Sequence, residues 1–278
     1  MGNLVSLKFL VLSDSNLSGL VPRSLGNLLK LTHLDLSGNQ LSGQIPRSLE
    51  NLLQLTHLDL WQNQLSGQIP RSLGNLLQLT DLDLGWNKLS GQIPLSILNL
   101  TQLEYLTINN NSLEGSIPDE VTAFPNLIIL YLPDNLLNGT LPSWLYTAPS
   151  LKEIYLHQNQ FSGHIKEFQS KSLEVISLEN NKLQGPLPSS IFQLLNLTGL
   201  RLSSNNLSEF PQFLKELKSL ERLDLSCNKI EGKIPQWMRE VGNGSLSHLN
   251  VSYNSLTEVE HFPWKNIDVL DLSSNLIS

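Results

Sequence analysis

Residues 31–54 read LTHLDLSGNQLSGQIPRSLENLLQ, and residues 55–78 read LTHLDLWQNQLSGQIPRSLGNLLQ. The two segments agree at 21 of 24 positions, and their shared pattern, LxxLxLxxNxLSGxIPxxLxxLxx, recurs along the whole chain. A fixed period of this length predicts an array of like structural units stacked side by side. The units begin at residues 7, 31, 55, 79, 103, 127, 151, 173, 197, 220, 246 and 267.

Within each unit, the alternation of apolar and polar residues in xxLxLxx predicts a short strand with one buried face. A single such strand cannot bury its Leu residues, so the units are expected to stack into a parallel sheet over a continuous Leu core. An Asn eight residues into every unit after the first is expected to hydrogen-bond the backbone where the chain leaves the strand. The Gly and Pro that follow predict irregular or 3₁₀ segments, less regular in the units at Leu197 and Leu246, which lack the pattern.

Composition excludes several other classes of protein. The 278 residues include only 15% charged residues and one Cys, and the formal net charge is −7. The absence of a basic stripe argues against a nucleic-acid partner. A single Cys permits neither an internal disulfide nor a Cys-based metal cage, and the longest apolar run, residues 127–132, is too short to span a membrane.

The repeated LSGQIP at residues 41–46, 65–70 and 89–94 resembles the plant-specific class of leucine-rich repeat. Residues 202–238 are most similar to receptor-like proteins of the disease-resistance type. The resemblance implies an α/β-type solenoid, a horseshoe of about twelve repeats with a parallel sheet on its concave face. It also implies the extracellular region of a plasma-membrane receptor in defence signalling, with a peptide, protein or cell-wall glycan as ligand and a receptor kinase as co-receptor.

The resemblance covers repeats alone, so residues 1–278 are predicted to form a single solenoid that lacks its terminal caps. We expect a fragment of a larger receptor, attached to the membrane through a C-terminal segment outside this sequence. Two alternatives share this repeat type: a secreted protein similar to polygalacturonase inhibitors, and the ectodomain of a receptor kinase. No nucleophile motif or cofactor fingerprint is present, so we predict neither an enzyme nor a cofactor.

Variation among nearly identical repeats indicates where a ligand is expected to bind. The second, third, fifth, seventh and eighth positions of each unit are predicted to lie exposed on the strand, and they carry most of the Trp and Tyr. Such side chains dominate binding hot spots, although they also pack against each other on surfaces without ligands. The residues predicted to bind a ligand are His57, Asp59, Trp61, Asp83, Trp86, Tyr105, Tyr131, Tyr155 and His157.

Asp35, Asp59 and Asp83 occupy the same position of neighbouring units, beside His33 and His57. We do not predict a metal site, because Asp recurs at this position as the repeat default. Crowded carboxylates are instead expected to favour a basic ligand and to raise one another's pKa values, and the histidines are expected to make binding sensitive to pH. Exposed N-x-Ser/Thr sequons predict glycosylation at Asn16, Asn99, Asn138, Asn196, Asn206 and Asn243.

Overall fold

The repeats fold as the period predicts. The computed structural model describes residues 4–120, 123–209, 212–259 and 266–277. It divides into two compact units, the first made of residues 1–138 and 142–144 and the second of residues 139–141 and 145–278. Each unit is a stack of repeats joined by parallel strand pairs. The single solenoid over the whole chain stays a prediction.

In the first unit every repeat contributes a three-residue strand and, after the bend, a second short strand. The strands are β1 (Phe9–Val11), β2 (Ser18–Leu20), β3 (His33–Asp35), β4 (Gln40–Gly43), β5 (His57–Asp59), β6 (Gln64–Gly67), β7 (Asp81–Asp83), β8 (Lys88–Gly91), β9 (Tyr105–Thr107), β10 (Ser112–Gly115), β11 (Ile129–Tyr131) and β12 (Leu136–Gly139). The odd-numbered strands form one parallel sheet and the even-numbered strands form another.

The second unit keeps the first kind of strand in every repeat. Its strands are β13 (Glu153–Tyr155), β14 (Gln160–Gly163), β15 (Val175–Ser177), β16 (Lys182–Leu183), β17 (Gly199–Arg201), β18 (Arg222–Asp224), β19 (Glu231–Ile234), β20 (His248–Asn250), β21 (Ser255–Val259) and β22 (Val269–Asp271). The second sheet is reduced here to the pair β14–β16, a bridge between Gln184 and Asn206, and the separate pair β19–β21. The predicted loss of regularity is thus confirmed for the unit at Leu197. In the unit at Leu246 the prediction falls on residues 260–265, which lie outside the described residues.

Short 3₁₀ helices complete the repeats on the side opposite the first sheet, as predicted. Most of them begin directly after the repeat Pro, which fixes φ and ends the preceding strand. They comprise Arg23–Asn27, Arg47–Asn51, Arg71–Asn75, Leu95–Asn99, Ser143–Tyr146, Ser189–Gln193, Gln212–Glu216 and Gln236–Gly244. The second sheet between the bend and these helices was not predicted.

The repeat Leu residues form the core. Leu58, Leu82 and Leu106, at the middle of β5, β7 and β9, are each no more than 2% exposed. Burying a Leu side chain stabilises the fold by about 1.5–3 kcal/mol. The residues on either side of each Leu face outward, so this register determines which side chains are available to a ligand.

The predicted role of the repeat Asn is confirmed. Asn135 is 6% exposed and its Oδ1 accepts the backbone N–H of Leu113, one repeat earlier, at 3.1 Å. Its Nδ2 donates to the carbonyls of Ile108, Leu132 and Pro133. The Asn of the other repeats donate to the bend in the same way, which ties each repeat to the one before it.

Candidate functional site

The first sheet of the first unit presents two rows of polar and aromatic side chains, and we call this surface the sheet face. The pairing of the strands aligns His33, His57, Asp81 and Tyr105 in one row. The same pairing aligns Asp35, Asp59, Asp83, Thr107 and Tyr131 in the other row. Neighbouring strands in a sheet lie about 4.8 Å apart, so side chains in a row are within mutual contact distance.

Trp61 and Trp86 border these rows, but they do not lie on strands. Each strand ends at the fifth position of its repeat, and the seventh and eighth positions form the turn that follows. The prediction that these positions lie on the strand is therefore wrong. The eighth position adopts left-handed backbone, with φ of 51° at Gln62 and 50° at Trp86. The two Trp side chains are accordingly displayed from a turn at the edge of the sheet.

Both Trp side chains are accessible to a ligand. Trp61 is 37% exposed and Trp86 is 53% exposed. On this face Phe9 stacks on His33 and His33 stacks on His57, and neither ring contact includes a Trp. The alternative in which these indoles serve only to stack on neighbouring aromatic rings is not what the structure shows.

The Asp at the fifth position has a structural role in every repeat that carries it. Asp35 Oδ1 accepts both the backbone N–H and the hydroxyl of Ser37, at 2.9 and 2.6 Å. Asp224 and Asp271 make the same two bonds with the Ser two residues later. These bonds stabilise the turn that follows the strand. The recurrence of Asp along the repeats therefore follows from the turn.

Asp59 and Asp83 differ from that pattern because Trp61 and Gly85 replace the Ser. Asp59 Oδ1 accepts the Trp61 N–H at 2.8 Å, and Asp83 Oδ1 accepts the Gly85 N–H at 2.8 Å. Neither Trp nor Gly supplies the hydroxyl that the default Ser would donate. These two carboxylates thus retain capacity to accept hydrogen bonds from a ligand.

Three carboxyl groups of the sheet face, those of Asp59, Asp81 and Asp83, have raised pKa values. Burial raises the pKa of Asp83 to about 7, with the charges of Asp59 and Asp81 adding to the rise and the Gly85 N–H opposing it. Burial also raises the pKa values of Asp59 and Asp81, and neighbouring acidic groups contribute further. The predicted rise is found, but its largest cause is loss of solvation and not repulsion between like charges.

The two histidines of the sheet face stack on each other. Their ring centroids are 4.1 Å apart and the rings are inclined by 13°. Burial lowers the pKa of His33, and the nearby His57 lowers it further. Stacked imidazoles cannot both carry a charge without repulsion, so this pair favours the neutral form of His33.

The remaining predicted ligand contacts lie in both units. In the first unit Tyr105, 37% exposed, and the half-buried Tyr131 continue the aromatic border of the sheet face. In the second unit the Tyr155 hydroxyl donates to Glu153 Oε2 at 2.8 Å. His157 Nδ1 lies 2.9 Å from Ser177 Oγ. These last two side chains are thus held by neighbours within their own unit.

The predicted glycosylation acceptors lie at the surface. Five of the six Asn side chains are exposed and Asn206 is half-buried. Among the described residues, no group of three or more His, Cys, Asp or Glu side chains is arranged to hold a metal ion. No helix in the described ranges is sufficiently long and apolar to cross a bilayer.

Sequence reasoning missed Gly85 and Asn109, which occupy the seventh position of successive repeats. Asn109 is 4% exposed, and its Oδ1 has no hydrogen-bond partner in the described part of the chain. A side chain at residue 85 would collide with that oxygen. The available signal was the replacement of the small Ser at this position by an amide in one repeat and by Gly in the repeat beside it.

Comparison with known proteins agrees with the repeat geometry. The leucine-rich-repeat family matches residues 6–28, 30–52, 54–76, 78–100, 102–124 and 172–194, and its two-copy form matches residues 195–236. Together these matches cover more than half of the chain. The chain belongs to the leucine-rich-repeat family.

Proteins similar to this chain include plant receptors. Receptor-like protein 54 of Arabidopsis thaliana is 45% identical over 84 residues, which are 29% of this chain and 10% of that protein. The crystal structure of a TDR receptor superimposes with a TM-score of 0.93 at 32% identity, covering 99% of this chain and 48% of that chain. The plant peptide hormone receptor RGFR1, solved in complex with RGF2, gives a TM-score of 0.79 at 32% identity, covering 100% of this chain and 53% of that chain.

Proposed function

We propose that this chain is the ligand-sensing region of a plant cell-surface receptor-like protein and that the sheet face recognises the ligand without catalysis. The observation that carries the proposal is that Trp61 and Trp86 are exposed beside carboxylates that can accept further hydrogen bonds, on an otherwise repetitive surface. An aromatic side chain with a polar neighbour gives a large contact area and a directional bond, the combination found at binding hot spots.

The relatives support a peptide as the ligand. RGFR1 is a peptide hormone receptor and was solved with its peptide, and its fold covers this whole chain. An extended peptide advances about 3.3–3.6 Å per residue, so four strands about 4.8 Å apart would accommodate four or five peptide residues. We assign the contacts to His57, Asp59, Trp61, Asp83, Trp86, Tyr105 and Tyr131 in the first unit, and to Tyr155 and His157 in the second.

The cellular role follows from the same resemblance. We infer an extracellular position at the plasma membrane, defence signalling, and a receptor kinase as signalling partner. Glycans at the proposed acceptors Asn16, Asn99, Asn138, Asn196, Asn206 and Asn243 would suit that compartment. A secreted protein similar to polygalacturonase inhibitors, with a cell-wall protein or glycan as its ligand, is the alternative.

Peptide selection tests the proposal. Random heptapeptides displayed on phage would be selected against the full chain, and the enriched peptides measured on the double variant Trp61→Ala/Trp86→Ala. We expect at least a tenfold loss of affinity with an unchanged circular dichroism spectrum. Tyr253→Ala is the matched control, because Tyr253 occupies the same repeat position as Trp86 in the second unit and is 62% exposed. Equal losses in both variants, or no enriched peptide, would reject the proposed function.

A further inference from the structure

Three side chains, those of Asp83, Trp61 and Asn109, converge over Gly85 beside the sheet face, and we call this place the Gly85 recess. The position that a Cβ of residue 85 would occupy lies 3.1 Å from Asp83 Oδ1 and 3.1 Å from Trp61 Cδ1, and it would collide with Asn109 Oδ1. A side chain at residue 85 would overlap the Asn109 oxygen and displace it. The absence of a Cβ therefore brings a carboxylate oxygen and an amide oxygen to one small region beside an indole edge.

Asn109 is the least expected component of this recess. It is 96% buried, and its Oδ1 finds no donor among the described residues. A buried acceptor without a partner costs about 1–3 kcal/mol, so proteins rarely keep one without a reason. Its oxygen is directed into the space above Gly85, next to the Asp83 carboxylate. The Gly85 recess thus brings together two acceptor oxygens, those of Asp83 and Asn109.

We propose that the Gly85 recess is a subsite for a positively charged side chain of the ligand peptide, arginine or lysine. This inference rests on the proposed function. The cation donates to Asp83 and to Asn109 Oδ1, and the Trp61 indole turns aside to cover its stem. A guanidinium or ammonium group carries several donors and no acceptor, which matches a site made of acceptors. Bonds from a charged donor to a carboxylate are the stronger class of hydrogen bond, and an indole adds cation–π attraction.

The electrostatics of neighbouring strands agree with this assignment. Asp59 on β5 and Asp81 on β7 lie close enough to Asp83 to raise its pKa. Asp35 on β3 acts in the same way on Asp59, and Glu104 beside β9 acts on Asp81. His57 opposes the rise in the pKa of Asp81, and His33 stacks on His57. A cation would relieve the repulsion among the carboxylates.

Because burial raises the pKa of Asp83 to about 7, its ionised fraction rises about tenfold between pH 6 and pH 8. Affinity for a cation should rise by the same factor.

The test uses the full chain and two blocked pentapeptides, acetyl-Gly-Gly-Arg-Gly-Gly-amide and its citrulline twin, which has nearly the same shape without the charge. Binding is measured by calorimetry at pH 6 and pH 8. We expect the arginine peptide to bind at least tenfold more tightly than the citrulline peptide at pH 8. We also expect its affinity to fall about tenfold at pH 6.

Three variants separate the subsite from general attraction to an acidic chain. Gly85→Ala fills the recess while keeping every charge, and Asn109→Leu removes the buried acceptor at similar volume; both should remove most of the arginine preference. Gly199→Ala is the matched control, because its Cβ would meet only Val175 at ordinary contact distances of 3.6 and 3.8 Å.

The outcomes also distinguish this inference from the proposed function. Arginine and citrulline peptides that bind equally, or not at all, would overturn the subsite. An arginine preference that survives in both Gly85→Ala and Asn109→Leu would also overturn it. If heptapeptides selected on the chain still require Trp61 and Trp86 in any of those cases, the proposed function stands without the subsite.

Discussion

Replacing Asp83 by Asn should stabilise the protein at neutral and alkaline pH. The folded state raises the pKa of Asp83 from 3.8 to about 7. A raised carboxyl pKa means that the folded state favours the protonated form. The stabilisation from that form is fully present below about pH 3.8 and is lost as pH rises through 7. At 1.36 kcal/mol per pKa unit, ionisation costs the folded state about 4 kcal/mol by pH 8.

Asn should keep the turn intact while removing this cost. Asn250 occupies the same repeat position and its Oδ1 accepts the Ser252 N–H at 3.0 Å, so an amide performs the structural role of the carboxylate. The advantage of Asp83→Asn over the natural chain should therefore be below about 1 kcal/mol at pH 4 and approach about 4 kcal/mol at pH 8.

Urea denaturation at pH 4, 6 and 8 measures this difference, with circular dichroism reporting the unfolding of the chain. Asp224→Asn is the matched control, because Asp224 caps the equivalent turn but receives a second hydrogen bond from the Ser226 hydroxyl. Asp224→Asn should give no stabilisation at any pH. If Asp83→Asn is no more stable than the natural chain at pH 8, the conclusion that burial makes the ionised Asp83 carboxylate destabilising is refuted.

Three further changes test the fold and the face separately by chemical denaturation. Asn135→Ala should cost about 2–4 kcal/mol, because it leaves several buried backbone groups without partners, whereas the exposed Asn138→Ala should cost under about 0.5 kcal/mol; equal effects would contradict the structural role of the repeat Asn. Trp86→Asn should stabilise by about 1 kcal/mol, because Trp86 has left-handed backbone that Asn tolerates; destabilisation would show that the indole is structural. Phe161→Ala should cost about 3–5 kcal/mol, because the ring is fully buried; a loss below 1 kcal/mol would contradict its place in the core.

The features that the sequence predicts well are those that recur with the repeat period. The Leu register, the Asn hydrogen bonds and the positions of the first-sheet strands each follow from one residue type at one spacing, repeated until chance is excluded. The second sheet was missed because its four-residue strands, such as Gln40–Gly43, contain one buried Leu and lack an alternating pattern.

The details of the site could not be predicted as well from the sequence. The left-handed turn that displays Trp86 depends on backbone conformation, which a Trp at that position gives no reason to expect. The Gly85 recess depends on the contact of residues 24 positions apart, and only the structure shows that Asn109 fills the space that Gly85 leaves. The acidic character of the face was predictable, but the dominance of burial over repulsion required knowledge of how deeply Asp83 lies.

Site-directed photo-cross-linking shows whether the ligand contacts the sheet face of the first unit. A benzophenone amino acid would replace either Tyr105, on β9, or Leu95, which is 63% exposed and begins the 3₁₀ helix Leu95–Asn99. Each protein would be irradiated with a heptapeptide selected on the natural chain, and the products quantified by mass spectrometry. We predict efficient cross-linking from position 105 and background levels from position 95. Equal cross-linking, or capture from position 95 alone, would show that the ligand does not bind specifically at the sheet face.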